Sequence, residues 1–236
     1  MRRSLIAVAA LVASLTLAAC GSSSSQPLPS GMQGQSAAVI LLNSRTAGVK
    51  AGFALIHAST VPTQISSAVI QAGSVDGTET STGSSGTLEV RLVDNQVFFK
   101  GDALYMRNNF KKAKPQYTNQ WISIPESSPY FASGTNLTIA GNFVNTMPVA
   151  NLKIVGVRTY NGVKCVEITG QHSTNSGGLI RVYLSYASPY LPVAVVTSVS
   201  LLGHGAGQIQ KYSQWGVPFV VSVPPNAIPI GQTGLK

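Results

Sequence analysis

The strongest constraint on the fold is an alternation of apolar and polar residues that begins at Thr87. Every second residue of the first run is apolar, and these positions are Leu88, Val90 and Leu92. An Asp94-Asn95 pair then separates this run from a second, largely apolar run that ends at Lys100. Because the side chains of a β-strand point alternately to its two faces, the pattern predicts an antiparallel hairpin with one buried face.

Much of the remaining chain has the same character. Further strands are predicted over residues 50–58, 64–71, 103–107, 150–159, 163–171, 179–185, 192–202 and 207–215. Residues 35–46 predict a short amphipathic helix, residues 127–147 one or two short helices, and residues 73–86 a polar loop. Strands and helices do not alternate as in a parallel α/β fold. The sequence therefore predicts an α+β fold in which a curved, half-open antiparallel β-sheet, or half-barrel, packs over a few α-helices.

The first nineteen residues are typical of an export signal. Arg2 and Arg3 precede an apolar stretch from Ser4 to Leu17, which is shorter than the roughly 20 residues of a transmembrane helix. The stretch ends in Leu-Ala-Ala-Cys, the pattern of a lipobox, so we expect Cys20 to carry a diacylglyceryl anchor. The alternative is an ordinary secretory signal with a cysteine after the cleavage site by chance. The lipobox interpretation predicts a cell-membrane location, lipid-anchored on the extracytoplasmic face.

This leader divides the chain into four predicted parts. Residues 1–19 are the signal peptide, and residues 20–35, rich in Gly, Ser and Pro, are a lipidated flexible tether. Residues 36–225 are a single domain, and residues 226–236 are a C-terminal tail. A β-rich chain of this length is long enough to bury a substantial core.

The sequence lacks the common catalytic motifs. It contains no G-x-S-x-G, H-E-x-x-H, G-x-x-x-x-G-K-[ST] or C-x-x-C pattern. Its three histidines, His57, His172 and His204, are far apart, and its seven carboxylates offer little material for an acid/base pair. With Cys20 acylated, Cys165 has no cysteine partner and is expected to be a buried apolar residue. We therefore expect no enzyme activity, no cofactor and no metal.

A basic loop is the densest cluster of charge in a chain whose net charge is +9. The loop contains Lys111, Lys112 and Lys114. Export argues against a nucleic-acid partner, so one interpretation is contact with anionic lipid head groups, to which each basic residue contributes about 1 kcal/mol. A solvated loop without a partner explains the same residues equally well.

Several segments together resemble a known family. They are the lipobox, the short helix, T-A-G-V-K-A-G-F-A-L (46–55), L-E-V-R-L-V-D-N-Q-V-F-F-K-G (88–101), W-I-S-I-P (121–125) and K-Y-S-Q-W-G-V-P (211–218). Their order resembles the LppX/LprG group of mycobacterial and related actinobacterial lipoproteins over nearly the whole mature chain. The resemblance implies an apolar cavity in the half-open sheet for lipids such as acylated glycolipids or triacylglycerol. It also implies carriage of lipid from the cytoplasmic membrane toward the outer envelope, with no covalent step and with an envelope transporter as a partner.

Strand alternation alone supplies the candidate lining of such a cavity, because the family has no short ligand-binding motif. The candidates are Phe53, Leu55, Leu88, Val90, Leu92, Val166, Ile168, Val182 and Leu184. A filled core would use the same residues. Two functions therefore stay open, a membrane-anchored lipid carrier and a non-carrying envelope binding or assembly module with a solid core. An envelope hydrolase is a third class without support from any motif.

Overall fold

The computed structural model describes residues 26–61, 66–110, 114–128, 131–173, 178–199 and 206–235. Within these ranges the chain forms one twelve-stranded sheet and four α-helices. The strands are β1 (Ala54–Val61), β2 (Ser66–Ala72), β3 (Gly77–Gly83), β4 (Gly86–Val93), β5 (Gln96–Gly101), β6 (Ile122–Pro125), β7 (Ala150–Tyr160), β8 (Val163–Gln171), β9 (Leu179–Ser185), β10 (Pro192–Val199), β11 (Ala206–Ser213) and β12 (Ile228–Pro229). The helices are α1 (Ala37–Ala51), α2 (Ala103–Asn109), α3 (Ile139–Thr146) and α4 (Ile230–Thr233). A 3₁₀ segment, Phe131–Leu137, precedes α3.

The strands lie in the order β12-β6-β5-β4-β3-β2-β1-β11-β10-β9-β8-β7. Neighbouring strands pair antiparallel, except that β12 runs parallel to β6. Among the described strands, the edge strands β7 and β12 do not pair with each other, so the sheet stays open. The predicted half-open sheet over a few helices is therefore confirmed, with one parallel pair added at its edge.

One face of the sheet carries the helices, and we call it the inner face. In β1, Ala54, Ile56 and Ala58 are buried whereas His57 between them is exposed, which assigns the even positions to this face. The strand register extends the inner face across the sheet, and one of its rows reads Ile154, Ile168, Val182, Val195, Gln210, Ala58, Ala68, Ser81 and Leu88. The main core lies between this face and the helices.

Helix α1 begins at a polar cap and ends at a glycine. The Oγ of Ser36 accepts a hydrogen bond from the N–H of Val39, which satisfies one of the free donors of the first turn. Gly52 has a left-handed φ of +81°, a conformation that a residue without Cβ adopts at little cost and that stops the helix. The side chains of Ile40 and Leu41, on the sheet-facing side of α1, are buried in the core.

Two local predictions were wrong. Residues 103–107 form α2 and not a strand, because the carboxylate of Asp102 accepts hydrogen bonds from the N–H groups of Tyr105 and Thr87 and so caps a helix. The predicted polar loop 73–86 contains strand β3, whose backbone pairs with β2 on one side and β4 on the other. Threonine is well suited to a strand, and a strand with neighbours on both sides does not need an apolar pattern to pair.

The packed domain extends beyond both predicted boundaries. The tether was predicted to reach residue 35, but Met32 is buried and the hydroxyl of Tyr186 donates a hydrogen bond to the carbonyl of Pro27. At the other end, the predicted tail supplies β12 and α4, and Leu235 is buried in the core. Packing of these two flanking segments onto the domain is favourable because it removes their apolar side chains from water. The signal peptide and Cys20 lie outside the described residues.

The outer face of the sheet is partly covered by residues 217–227, which have no regular structure. Val221 packs against Val93 and Phe98 in a small separate cluster. The guanidinium of Arg91 donates a hydrogen bond to the carbonyl of Ser222 over 3.0 Å. This segment, which we call the outer strap, therefore lies on the side of the sheet away from the helices. None of the helices in the described ranges has the length and apolarity needed to cross a membrane.

Candidate functional site

The inner face is completely filled where α1 and α3 cover it. Val166, Ile168, Val182 and Leu184 on β8 and β9 all have 0% exposure. They belong to one cluster with Ile40 and Leu41 of α1 and with Ile139 and Phe143 of α3. Four of the residues predicted to line a cavity are thus core residues of this closed half, which leaves them without access to a ligand.

A buried polar network on β11 separates this closed half from the rest of the inner face. The hydroxyl of Tyr212 donates to Oδ1 of Asn142 over 2.7 Å and lies 2.9 Å from Oε1 of Gln210. Burial raises the pKa of the Tyr212 hydroxyl, an effect that a hydrogen bond with Thr146 partly opposes. The phenol is therefore un-ionised and acts as a hydrogen-bonding group that fixes α3 to the sheet.

An apolar hollow of about 110 Å³ opens on the inner face of β4 and β5. It is half-enclosed, with helix α2 on one side and the C-terminal segment on the other. Its lining residues are Leu88, Val90, Val97, Phe99, Tyr105, Phe110, Ile124 and Ile230. The rings of Phe99 and Phe110 stack with their centroids 5.5 Å apart, which holds Phe110 against the sheet at the end of α2.

A more polar hollow of about 270 Å³ lies beside it on the inner face of β1, β2 and β3. The inner-face residues that line it are Ala58, Thr60, Ser66, Ala68, Glu79, Ser81 and Gln208. The strand register connects the two hollows, because Ser81 pairs with Leu88 and Glu79 pairs with Val90. The inner face of the N-terminal strands therefore carries an apolar and a polar depression side by side, which we call the paired hollow.

Glu79 lies at the boundary between the two parts of the paired hollow. Its neighbours in the inner-face row are Ile70 on β2 and Val90 on β4, so apolar side chains flank the carboxyl. Burial raises the pKa of the Glu79 carboxyl, and a hydrogen bond with Ser81 partly opposes this change. The charge of Glu79 also raises the pKa of the Tyr105 hydroxyl, after burial as the larger cause. An ionised Glu79 is thus disfavoured at this position.

The predicted lining residues fall into three groups. Leu88 and Val90 line the apolar hollow, and Leu92 is buried on the same face beneath the 3₁₀ segment. The four residues on β8 and β9 lie in the closed half. The prediction for Phe53 and Leu55 was wrong. The register of β1 turns Ala54 and Ile56 inward and leaves Leu55 on the outer face. The ring of Phe53 packs against the ring of Phe219 in the outer strap, with the two ring centroids 5.3 Å apart.

Sequence reasoning missed the residues that close the apolar hollow. Tyr105 and Phe110 were missed because residues 103–107 were predicted to form a strand. The Asp102 cap was the signal that could have revealed α2. Ile230 lies in the segment that was predicted to be a tail. Glu79 was assigned to a polar loop, and only the strand register brings it to the inner face.

The remaining candidate groups do not form a second site. Cys165 is buried with 0% exposure, and burial raises the pKa of its thiol, which keeps it in the unreactive protonated form. Among the described residues no group of three His, Cys, Asp or Glu side chains is placed to hold a metal ion. Of the predicted membrane contacts, Lys114 is exposed, whereas Lys111 and Lys112 lie outside the described residues.

No protein-family model matches the sequence, and no curated protein matches it either. The fold has counterparts among solved structures. The Mycobacterium tuberculosis lipoprotein LppX is 12% identical with a TM-score of 0.51, and the match covers 79% of this chain and 98% of LppX. LprF from Mycobacterium bovis is 16% identical with a TM-score of 0.51, and the match covers 85% of this chain and 100% of LprF. At these identities the likeness concerns the fold, and it confirms the predicted LppX/LprG-type fold.

Proposed function

We propose that this protein is a membrane-anchored envelope lipoprotein that binds a lipid or acylated glycolipid in the paired hollow and carries it between envelope layers. The observation that carries the proposal is the position of the apolar hollow, which opens on the inner face and adjoins a polar hollow through the pairs Ser81–Leu88 and Glu79–Val90. A lipid has the same two parts, an acyl chain and a polar head group. The paired hollow thus matches the chemistry of the ligand at both ends.

The size of the paired hollow supports binding of part of a lipid. Its volumes of about 110 and 270 Å³ together reach the lower end of the range of small-molecule sites, roughly 300–1,000 Å³. The apolar part accepts acyl carbons among aromatic and aliphatic side chains. The polar part offers hydroxyls from Thr60, Ser66 and Ser81, together with the amide of Gln208, to a head group.

The anchor and the location are further parts of this proposal. The lipobox ending in Cys20 supports acylation and a place on the extracytoplasmic face of the cell membrane. The fold shared with LppX, which is described as a lipoprotein, is consistent with that location. Contact of the loop containing Lys111, Lys112 and Lys114 with anionic head groups, and delivery to an envelope transporter, belong to the same proposal.

A second candidate is a non-carrying binding or assembly module. The observation that favours it is the closed half, where the inner face is filled by side chains at 0% exposure. The two candidates differ in whether the paired hollow holds a ligand.

The test is to fill the hollow. Leu88→Trp introduces a bulky ring into the apolar part, and Leu55→Trp, on the outer face of the same sheet, is the matched control. Both variants and the wild type are expressed in a lipid-producing host without the signal peptide and examined by native mass spectrometry. We expect lipid adducts on the wild type and on Leu55→Trp, and a loss of at least about tenfold on Leu88→Trp, because a ring occupies the acyl site. An adduct-free wild type, or equal adducts on all three proteins, would contradict lipid binding in this hollow.

A further inference from the structure

Helix α1 exposes a row of aliphatic side chains on the side turned away from the sheet. Val39, Leu42 and Val49 are 44%, 62% and 48% exposed. Their spacing of three and seven residues places them on one side of a helix with 3.6 residues per turn. Aliphatic side chains at three such positions are unusual on a surface that only contacts water.

The end of α3 and the residues after it add two more exposed valines beside α1. Val144 is 72% exposed and Val149 is 59% exposed. Each follows a residue that touches α1. The ring of Phe143 lies so close to Gly48 that a Cβ there would come within 2.7 Å of it, and the guanidinium of Arg45 donates to the carbonyl of Pro148 over 3.1 Å. We call Val39, Leu42, Val49, Val144 and Val149 the helical apolar face.

The charge around the helical apolar face is positive. Lys50 on α1 is exposed, whereas Arg45 is partly buried against Pro148, and neither α1 nor α3 contains an acidic residue. Six of the seven acidic residues of the chain lie between Asp76 and Glu126, and the seventh is Glu167 on β8. An apolar helix surface that carries an exposed cation and no carboxylate is complementary to an anionic bilayer surface, because the aliphatic groups enter the interface while the cation remains at the phosphates.

The chain connects the proposed anchor to the start of the same helix. The packed chain begins at Pro27, and the seven residues back to Cys20 span at most about 25 Å. From Pro27, which accepts a hydrogen bond from Tyr186, the chain passes the buried Met32 and enters α1 at its Ser36 cap. The proposed anchor is therefore joined to the domain directly before α1. An anchored domain on so short a tether keeps this region near the bilayer.

We propose that the helical apolar face docks on an anionic phospholipid bilayer, with Lys50 at the phosphate level. This inference rests on the proposed function, because docking on this face turns the inner side of the sheet, and with it the paired hollow, toward the membrane. A lipid can then move between bilayer and hollow without crossing a layer of water.

Vesicle sedimentation tests the docking face directly. The probe is a vesicle of phosphatidylcholine with about one third phosphatidylglycerol, and the protein is the chain from Gly21 onward, which has no anchor. We expect the triple variant Leu42→Ser, Val49→Ser, Val144→Ser to lose at least about tenfold in partitioning, because three aliphatic groups no longer enter the interface. The control is Val217→Ser, Val220→Ser, Val223→Ser on the outer strap, where the valines are 54%, 95% and 50% exposed. This control is expected to bind like the wild type.

Three outcomes would overturn the inference: no binding of the wild type to these vesicles, unchanged binding of the helical variant, or an equal loss in both variants. Circular dichroism melting curves establish that each variant is folded. Native mass spectrometry of the same samples separates the inference from the proposed function, since the helical variant should keep its lipid adduct while losing vesicle binding. A wild type that binds vesicles but carries no lipid would contradict carriage and leave docking intact.

Discussion

Beneath α1 and α3 the inner face of β8 and β9 is closed, whereas over β3, β4 and β5, where the 3₁₀ segment Phe131–Leu137 and α2 pack, the same face is only partly covered. The closed half is an aliphatic layer in which Val166, Ile168, Val182 and Leu184 have no exposed surface. The open half carries Glu79 and Ser81 in the corresponding rows and leaves the paired hollow beside them. The segments packed over the inner face, rather than the strands themselves, therefore determine where the sheet leaves room for a ligand.

The segments that pack over the inner face account for the difference. Helix α1 has 15 residues and α3 has 8, and together they cover the strands at one end of the sheet. Helix α2 has only 7 residues and lies at the start of β4 and the end of β5, where a Cβ on Gly101 would come within 2.5 Å of Tyr105. The short helix and the 3₁₀ segment Phe131–Leu137 together leave part of this face uncovered, and the paired hollow lies there.

The largest expected effect is in the closed half. Ile168→Ala should lower the free energy of unfolding by about 3 kcal/mol, because it leaves a cavity in a layer that has no solvent access. Urea unfolding followed by tryptophan fluorescence measures this loss. Val155→Ala on β7, where the side chain is 41% exposed, is the control and should change stability by less than about 0.5 kcal/mol. A loss below about 1 kcal/mol for Ile168→Ala would mean that this half is not tightly filled.

An intermediate effect is expected in the open half. Leu88→Ala should cost about 1 kcal/mol, since Leu88 is only half-buried and already faces an empty volume. The same urea titration compares it with Ile168→Ala. The contrast between the two halves would be refuted if both truncations had equal costs.

The smallest effect concerns the charge at the boundary of the paired hollow. Burial raises the pKa of Glu79 in the folded state, so the folded protein holds its proton more tightly than the unfolded chain. The ionised carboxylate therefore lowers stability as the pH rises from the ordinary value of 4.5 through the raised pKa. Glu79→Gln removes this penalty, and we expect Tm to rise by about 1–3 °C at pH 7, with no difference from the wild type below the ordinary pKa.

The control for this pH dependence is Glu89→Gln. Glu89 lies on the outer face of the next strand, where its carboxylate pairs with Lys100 over 2.6 Å. Losing this partly exposed ion pair should lower Tm slightly at pH 7, the opposite direction from Glu79→Gln. Differential scanning calorimetry between pH 4 and pH 8 measures both. Equal responses of the two variants would show that the environment of Glu79 does not differ from that of a surface carboxylate.

Local chemistry was sufficient to predict much of the fold. Strand alternation identified β4 and β5, and the Asn161-Gly162 turn between β7 and β8 has the left-handed φ angles of 48° and 80° that this dipeptide favours. The prediction failed at residues 103–107, where the cap provided by Asp102 outweighs the strand-like pattern, and at β3, where pairing on both sides replaces an apolar signal. The first failure overlooked a local signal, the Asp102 cap, whereas the second depends on pairing with two neighbouring strands.

The alternating strands, the turns between them and the lipobox follow from the sequence alone, because each depends on residues close together in the chain. That Leu88 and Val90 line a hollow while Ile168 and Leu184 fill a core follows only from the three-dimensional packing. It also turned Leu55 to the outer face and brought Glu79 inward. The physical reason is that a strand pattern assigns a side chain to one of two faces, whereas the helix packed over that face decides whether it meets another side chain or an empty volume.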